Sequence, residues 1–584
     1  MSERAALAEL AKRRGFFFQA AEAYGGAAGF YVYGPAGAAM KRNVEAAWRE
    51  RFVLGEGHVE IDSPTVVPEP VFAASGHLEN FNDLLVACAE CDERHRADHL
   101  VEDASDVEDA EVMAPEALGE LIAELGVTCP TCGAELAGQP VETFNLMFET
   151  AIGPGDGAPG YLRPETAQGT FVEFPRLAEY ARGQLPFGVA QIGRAYRNEI
   201  SPRNALLRVR ELTQAELELF VDPEHDEPDL TPVADVPLRL YPAAAQTDEG
   251  TDYLETTVAE AAGGAVADEW IAYFLGRTRE WYAAIGVDMD RFRFRQHLAG
   301  ERSHYASDCW DAEAEVDGDW IELAGLATRG AYDLGKHHEH SDEEYTLFRE
   351  YDEPVTVERA TVEPDMGTLG PDFGGDAPAV ADALAELAER DPDVFDGETV
   401  TVTVDGEPRE VDVEAANFSV ETVTERGEHV LPHVIEPAFG VGRAVYTVLA
   451  HRLREDEVDG EARTVLTLPA AVAPTLVGVF PLMDRDGLGE RARELAADLR
   501  GAGHAVEYDD SGSIGRRYRR QDEVGTPYCV TVDYDTLEDG TVTVRDRDTA
   551  AQRRVPLDGL AGLLATLRDG DRAFGEVGEP VTDG

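Results

Sequence analysis

The sequence predicts an α+β protein: an antiparallel sheet core flanked by helices, followed by a separate C-terminal α/β domain. Two patterns and one size argument support this. Between Phe144 and Phe220, the runs FNLMFET, GTFVEF, FGVAQIGRAYRNEI and LLRVRELTQAELELF alternate with glycine-bearing turns, as antiparallel strands do. From about residue 465 the short strands TLVGVFPL, HAVEYDD, PYCVTVD and TVTVRDR alternate with helical GLGERARELAADLRGAG and SIGRRYRRQDEVG. At 584 residues and 63.5 kDa, one hydrophobic core is too small a unit, and about two to four domains are expected.

In chain order, residues 36–53 read as an amphipathic helix, and HVEIDSPTVVP (58–68) as a strand carrying Pro64. Residues 88–132 hold two cysteine pairs and the acidic insert VEDASDVEDAEV. Residues 221–250, rich in proline and acids, read as an inserted loop, with a helical stretch at 253–285. Strand signals return at 291–296 and 319–324. Residues 340–430 read as a second insertion, with a helix near 376–390 and the hairpin TVTVTVDGEPREVDV. LPHVIEPAFGVGRAVYTVLAHRL then gives a strand, a glycine-rich turn and a helix. The expected domains are 1–464, carrying insertions at 88–132, 221–285 and 340–430, and 465–584.

Fifty Lys+Arg against 115 Asp+Glu give a formal net charge of −65, and only Lys12, Lys41 and Lys336 are lysines. A hydrophobic content of 43% is ordinary for a globular chain, so the acidity belongs on its surface. Such a surface suits high salt. At 1 M the Debye length is about 3 Å, and repulsion between carboxylates is screened. In dilute buffer the fold is expected to lose stability. Acidity weighs against a nucleic-acid partner without excluding one, because binding follows local potential. The N-terminus lacks an apolar leader and no run is long enough to span a bilayer, so no membrane role and a cytoplasmic location are expected.

Against this acidity, residues 193–220 gather Arg194, Arg197, Arg203, Arg208 and Arg210. Arginine's planar fork suits phosphate and carboxylate. On a strand Arg197 and Glu199 share one side, with Arg208 and Arg210 repeating the spacing on the return. A phosphate for the arginines and an amine edge for the glutamate together describe ATP, with an arginine stacked on the base. A surface salt-bridge ladder would give the same composition. Two further units change that balance: the helix–strand–proline unit ending at Pro64, and EPAFGVGR (Glu436–Arg443).

In this order the three units resemble the signature motifs of class II aminoacyl-tRNA synthetases. With YGPAG (33–37), ASGHLENFND (74–83), RADHL (96–100), LRPETAQG (162–169), YRNEISPR (196–203), RVRELTQAE (208–216), HYASDCWD (304–311) and DDSGSIGRRYRRQDEVGTPYCVTVD (509–533), the chain resembles glycyl-tRNA synthetases of the dimeric, archaeal/eukaryotic type. The resemblance covers most of the chain outside 221–285 and 340–430. It implies a class II catalytic core, a C-terminal anticodon-binding domain and a homodimer. The implied activity is ATP-dependent attachment of glycine to tRNA(Gly) through a glycyl-adenylate.

The resemblance also implies roles for residues. Arg197 holds the α-phosphate and Glu199 reads the adenine amine, with Asn198 between them. Leu207, Arg208, Val209, Arg210, Glu211 and Leu212 line the nucleotide. Arg443, with Gly440, Val441 and Gly442, meets the γ-phosphate or the adenine face. Glu322 and Leu323 contact ATP, Glu322 through Mg²⁺. Glu165, Glu216 and Glu436 fix the glycine ammonium. Thr213, Gln214 and Ala215 on one strand, and Pro437, Ala438 and Phe439 on another, complete that subsite. Arg329 and Arg96 are candidates for the substrate carboxylate. The chain departs from the family at Ala438, where serine is usual, and at Val32, which replaces an acidic residue.

The reaction needs no dedicated nucleophile or general base, because positioning and charge neutralisation carry it. His304 reads as a core or wall histidine rather than a base. Glycine has no side chain to recognise, so its site must read an ammonium and a size, which several carboxylates accomplish. Cys88-x-x-Cys91 and Cys129-x-x-Cys132 have the spacing of a closed four-thiolate Zn²⁺ site, the alternative being two reduced pairs without metal. Lone Cys309 and Cys529 read as core residues. Arg516, Arg517, Arg519 and Arg520 form a basic island that the resemblance places against tRNA, the alternative being a solvated helix balanced by Asp509, Asp510 and Asp522. The competing functions are a non-catalytic nucleic-acid-binding paralogue, which should have lost Arg197, Glu199 and Arg443, and a synthetase for another small amino acid.

Overall fold

The computed structural model describes residues 3–581 except 106, 108–109, 111–112, 156, 203–204, 247–252, 299–300, 302–307, 405 and 459. Arg203 and His304 therefore lie outside the described residues, as does part of HYASDCWD.

A nine-stranded sheet organises the site. Its strands are β1 (Val59–Glu60), β2 (Phe187–Tyr196), β3 (Glu211–Val221), β4 (Pro237–Tyr241), β5 (Leu254–Thr257), β6 (Phe292–Gln296), β7 (Asp308–Val316), β8 (Asp319–Gly330) and β9 (His433–Gly440). They lie in the order β5-β4-β6-β7-β8-β9-β3-β2-β1. The β4–β6 and β2–β1 pairs are parallel, and the rest are antiparallel. Strand alternation separates the two faces. Ala215, Leu217 and Leu219 of β3 and Phe439 of β9 enter the core, while Gln214, Glu216, Glu218, Glu436 and Ala438 face the other way.

Three helices cover the apolar face: α1 (Pro35–Arg49), α2 (Glu269–Ile285) and α3 (Val441–Arg452). Proline at the first position starts α1, whose missing amide hydrogen would be unpaired there anyway. Met40, Val44 and Trp48, at spacings of four, form its buried stripe. Trp48, Trp281 and Phe52 pack around Phe439, with ring centroids 4.8–5.9 Å apart. Burying a Trp or Phe this completely is worth roughly 1.5–3 kcal/mol, so this cluster clamps the helices onto β9.

Several expectations are corrected. GTFVEF is helical, within Ala167–Val172 and Phe174–Tyr180, because Phe171 and Phe174 both pack on Phe220 from one helical face. HVEIDSPTVVP is interrupted: residues 61–65 belong to no strand between β1 and a strand at Val66–Pro68, although the Ile61 amide still donates to the Ala190 carbonyl of β2 at 2.9 Å. Buried Arg163 accounts for part of the interruption, donating to the carbonyl and hydroxyl of Ser63. A Cβ on Gly193 would meet that guanidinium at 2.1 Å, which fixes glycine there. The stretch 221–250 contains β4, and 253–285 begins as β5 before turning helical. Arg197 and Glu199 follow the end of β2, and Arg208 and Arg210 precede β3, so all four sit in the connection rather than on strands.

The C-terminal six-stranded sheet, with helices at Leu488–Gly501 and Ile514–Val524, has its own core around Val479, Leu495, Val530 and Val544. Residues Thr346–Leu431 form a second compact unit. It consists of a long antiparallel pair, Leu347–Val362 with Phe418–Val430, and a small module in which Phe395 stacks on Phe418 at 4.6 Å. Among the described residues no helix is long and apolar enough to cross a membrane.

Candidate active site

A cleft of about 730 Å³ opens on the polar face of the sheet. One end is built from arginines that already have partners. Arg208 Nε donates to Glu199 at 2.6 Å, and Arg443 pairs with Glu322 at 3.0 Å. Arg443 also donates to the carbonyls of Leu207 and Glu322, and this ties α3 to the loop before β3. The Arg443 guanidinium holds Glu322 below the usual carboxylate range. Arg194 pairs with Glu211. Arg197 is anchored by the carbonyl of Pro164 at 3.1 Å and by the ring of Phe81, 5.5 Å from its guanidinium carbon.

The other end is a buried carboxylate cluster. The amide and hydroxyl of Thr166 donate to Glu216. Glu165 accepts from Gln168 and lies 3.4 Å from His77. Burial opposes its ionisation, but His77, Arg329 and Gln168 together hold it well below the usual range. Burial and the charge of Glu165 push Glu216 up, against the pull of Thr166. Glu436 is pushed up to about 8, by burial first and then by Glu216, Glu165 and Asp333, against Arg329. Glu218 is 1% exposed, neither of its oxygens has a hydrogen bond, and burial pushes it well above the carboxylate range.

Most sequence-nominated residues line this cleft, including Arg197, Glu199, Arg208, Gln214, Glu216, Glu322, Glu436, Ala438 and Arg443. Seven do not. Ala215 and Pro437 belong to the opposite face, as alternation along β3 and β9 requires, and Val441, the first residue of α3, is buried in the core. Asn198 donates its amide to the Leu146 carbonyl, and Arg210 is spent on the carbonyls of Glu199 and Ala28. Arg96 pairs with Asp83 and Asp98 away from the cleft. Arg329 is 1% exposed and bound by Asp333 and Glu436, so it orients the carboxylates rather than waiting for one.

Sequence reasoning missed Tyr31, Tyr33, Lys41 and Arg42, which line the cleft, and Glu218, Asp333 and His77 in the cluster. The spacing of two between Glu216 and Glu218 on a strand was a usable signal for Glu218.

Cys88, Cys91, Cys129 and Cys132 converge, all four sulfurs lying within 4.8 Å of one another. Cys88–Cys132 and Cys91–Cys129 are 3.6 and 3.7 Å apart. A tetrahedron of thiolates on Zn²⁺, with Zn–S near 2.3 Å, has edges of about 3.8 Å, so the residues fit that metal. Each pair sits on a matching turn: Gly133 N–H donates to the Cys129 carbonyl as Asp92 N–H donates to that of Cys88.

The basic island of the C-terminal domain is corrected. Arg517 is buried and donates to the carbonyls of Pro481, Asp510 and Gly512, holding its helix to the sheet. Arg519 pairs with Glu461 and Arg520 with Asp509. Arg516 is exposed, with no ion pair among the described residues.

Residues 476–567 match the family model of an anticodon binding domain. A prolyl-tRNA synthetase from Cryptosporidium parvum shares the fold with a TM-score of 0.50 at 12% identity, over 97% of this chain and 75% of that one. The glycine–tRNA ligase of Methanothrix thermoacetophila is 52% identical over 98% of both chains. That of Archaeoglobus fulgidus is 46% identical, also over 98% of both. With relatives this similar along nearly their whole length, the chain belongs to the glycine–tRNA ligase family.

Proposed function

We propose that this chain attaches glycine to tRNA(Gly), using ATP, through a glycyl-adenylate. The observation that carries this reading is a single cleft with arginines at one end and a buried carboxylate cluster at the other. ATP takes the arginine end: Arg197 on the α-phosphate, Glu199 toward the adenine amine, Arg443 toward the γ-phosphate or the base. Glu322, a hard oxygen donor on the cleft wall, would hold Mg²⁺, which supplies charge neutralisation to the phosphates. Glycine takes the other end, its ammonium among Glu165, Glu216 and Glu436. Its carboxylate then lies toward Arg197, in position to attack the α-phosphate and release pyrophosphate. In the second step the terminal ribose hydroxyl of tRNA attacks the glycyl carbonyl, the acyl–phosphate bond breaks and AMP leaves. Holding the reactants and neutralising the pentacovalent phosphorus accounts for the rate, and no side chain need act as a nucleophile.

Around this chemistry, residues 1–464 form the catalytic domain and 465–584 the anticodon-binding domain, with Arg516, Arg519 and Arg520 facing tRNA. The four cysteines hold a structural Zn²⁺. The protein works as a cytoplasmic homodimer adapted to high salt, as the net charge of −65 supports. Charging of a tRNA(Gly) transcript with labelled glycine in molar salt tests the reading. Glycyl-tRNA formation that depends on ATP is expected. Its absence from folded, zinc-loaded protein contradicts the assignment.

A further inference from the structure

The cysteine module is inserted through a narrow stem, and that stem reaches the nucleotide end of the cleft. Its strands Asn82–Ala87, Arg94–Arg96 and Val141–Asn145 form one sheet, with the first in the middle. The chain enters at Phe81 and leaves at Leu146, whose amide donates to the Phe81 carbonyl at 3.0 Å. Both stem residues grip the connection between β2 and β3. The Phe81 ring lies 5.5 Å from the guanidinium of Arg197. The Leu146 carbonyl accepts the Asn198 amide at 2.7 Å.

Two residues further along, on the middle strand, Asp83 sits between two arginines. It is 7% exposed, 3.2 Å from Arg96 and 3.8 Å from Arg208. Arg208 in turn holds Glu199 at 2.6 Å. A long arginine side chain loses much rotamer freedom when it binds a phosphate, and a partner that fixes its plane beforehand removes that cost. The aromatic face fixes Arg197 without occupying its donors. Asp83 Oδ2, which makes no hydrogen bond, lies 3.8 Å from Arg208 Nη2 as a charge contact, while Glu199 takes Arg208 Nε.

We infer that Phe81 and Asp83 are positioning residues of the nucleotide site: Phe81 sets the plane of Arg197, and Asp83 sets Arg208 and through it Glu199. The cysteine module is then a brace for ATP binding, and the inference rests on the nucleotide reading of this end of the cleft. A merely structural stem would loosen both ends of the cleft together. A brace acts chiefly on ATP.

The test is ATP–pyrophosphate exchange on the full-length protein, varying ATP and glycine separately. Phe81→Leu and Asp83→Asn should each raise the KM for ATP roughly three- to tenfold, the scale of one cation–π or screened ion-pair contact. Asp83→Asn should leave the KM for glycine unchanged, and Phe81→Leu, whose ring also lies 5.8 Å from that of His77, should raise it less than that for ATP. Phe81→Tyr keeps the aromatic face and should keep the wild-type KM for ATP. An unchanged KM for ATP in the Leu or Asn variant overturns the inference, as does a parallel rise in both KM values. Should either variant misfold, Phe81→Tyr carries the test with Phe81→Trp: both retain a ring face, and a large ATP-specific loss in both refutes the stacking role. Wild-type protein without ATP-dependent exchange would instead remove the nucleotide reading itself.

Discussion

The two ends of the cleft solve charge in opposite ways. At the nucleotide end, cations and anions are matched inside the protein: Arg208 with Glu199, Arg443 with Glu322, Arg194 with Glu211. A ligand there binds by exchanging partners. At the other end, Glu165, Glu216, Glu218, Glu436 and Asp333 face Arg329 and His77, so carboxylates outnumber cations. That end lacks a positive charge, which the proposed reading has the glycine ammonium supply. The first end is open to solvent and salt. The second is enclosed, where screening is weak and a missing charge is costly.

Arg197→Ala breaks the contrast most severely. It removes a donor aimed at developing charge, and exchange should fall about 10²–10³-fold with the protein still folded. Retained exchange refutes its role. Glu216→Gln attacks the other end. Losing one charge-assisted bond to the ammonium should raise the KM for glycine about 10- to 100-fold and leave that for ATP unmoved.

Protonation separates the two ends further. With Glu436 at about 8 and Glu218 well above its ordinary 4.5, the empty native site binds protons that the unfolded chain has released. These groups therefore stabilise the fold least at high pH, and stability falls as pH rises from about 4.5 toward 8. Glycine must displace such a proton. Its KM should rise as pH drops from 8 to 6, by up to about tenfold per unit for one proton, with the KM for ATP nearly flat across that range. A pH-independent KM for glycine contradicts the protonated cluster.

The smallest effect distinguishes the arginines of the C-terminal domain. Arg516→Ala should weaken tRNA binding by about 1 kcal/mol or less, with little change in melting temperature. Arg517→Ala should lower the melting temperature, because it leaves the carbonyls of Pro481 and Gly512 without their donor. Equal effects of the two on tRNA binding would restore Arg517 to the RNA face.

Much of this was legible in the sequence. Glu216 and Glu436 were nominated by the family resemblance of TQAE and IEPAFG, and the cysteine pairs by their spacing. Arg517 was not, because an arginine on the buried face of a polar helix looks the same as its exposed neighbours. Arg329 was misread because its partner Glu436 lies 107 residues away, which no local pattern reveals. β4 escaped because a five-residue strand among prolines and acids is favoured by its sheet neighbours, not by its own composition. Phe171 and Phe174 looked like a strand until Phe220 supplied the face they share.

The central claim is that the carboxylate end selects glycine. ATP–pyrophosphate exchange in molar salt with glycine, alanine and serine in parallel tests it most directly. The account predicts exchange with glycine, and kcat/KM for alanine and serine lower by at least about tenfold, the discrimination one added group provides. Exchange with alanine or serine equal to that with glycine would contradict it.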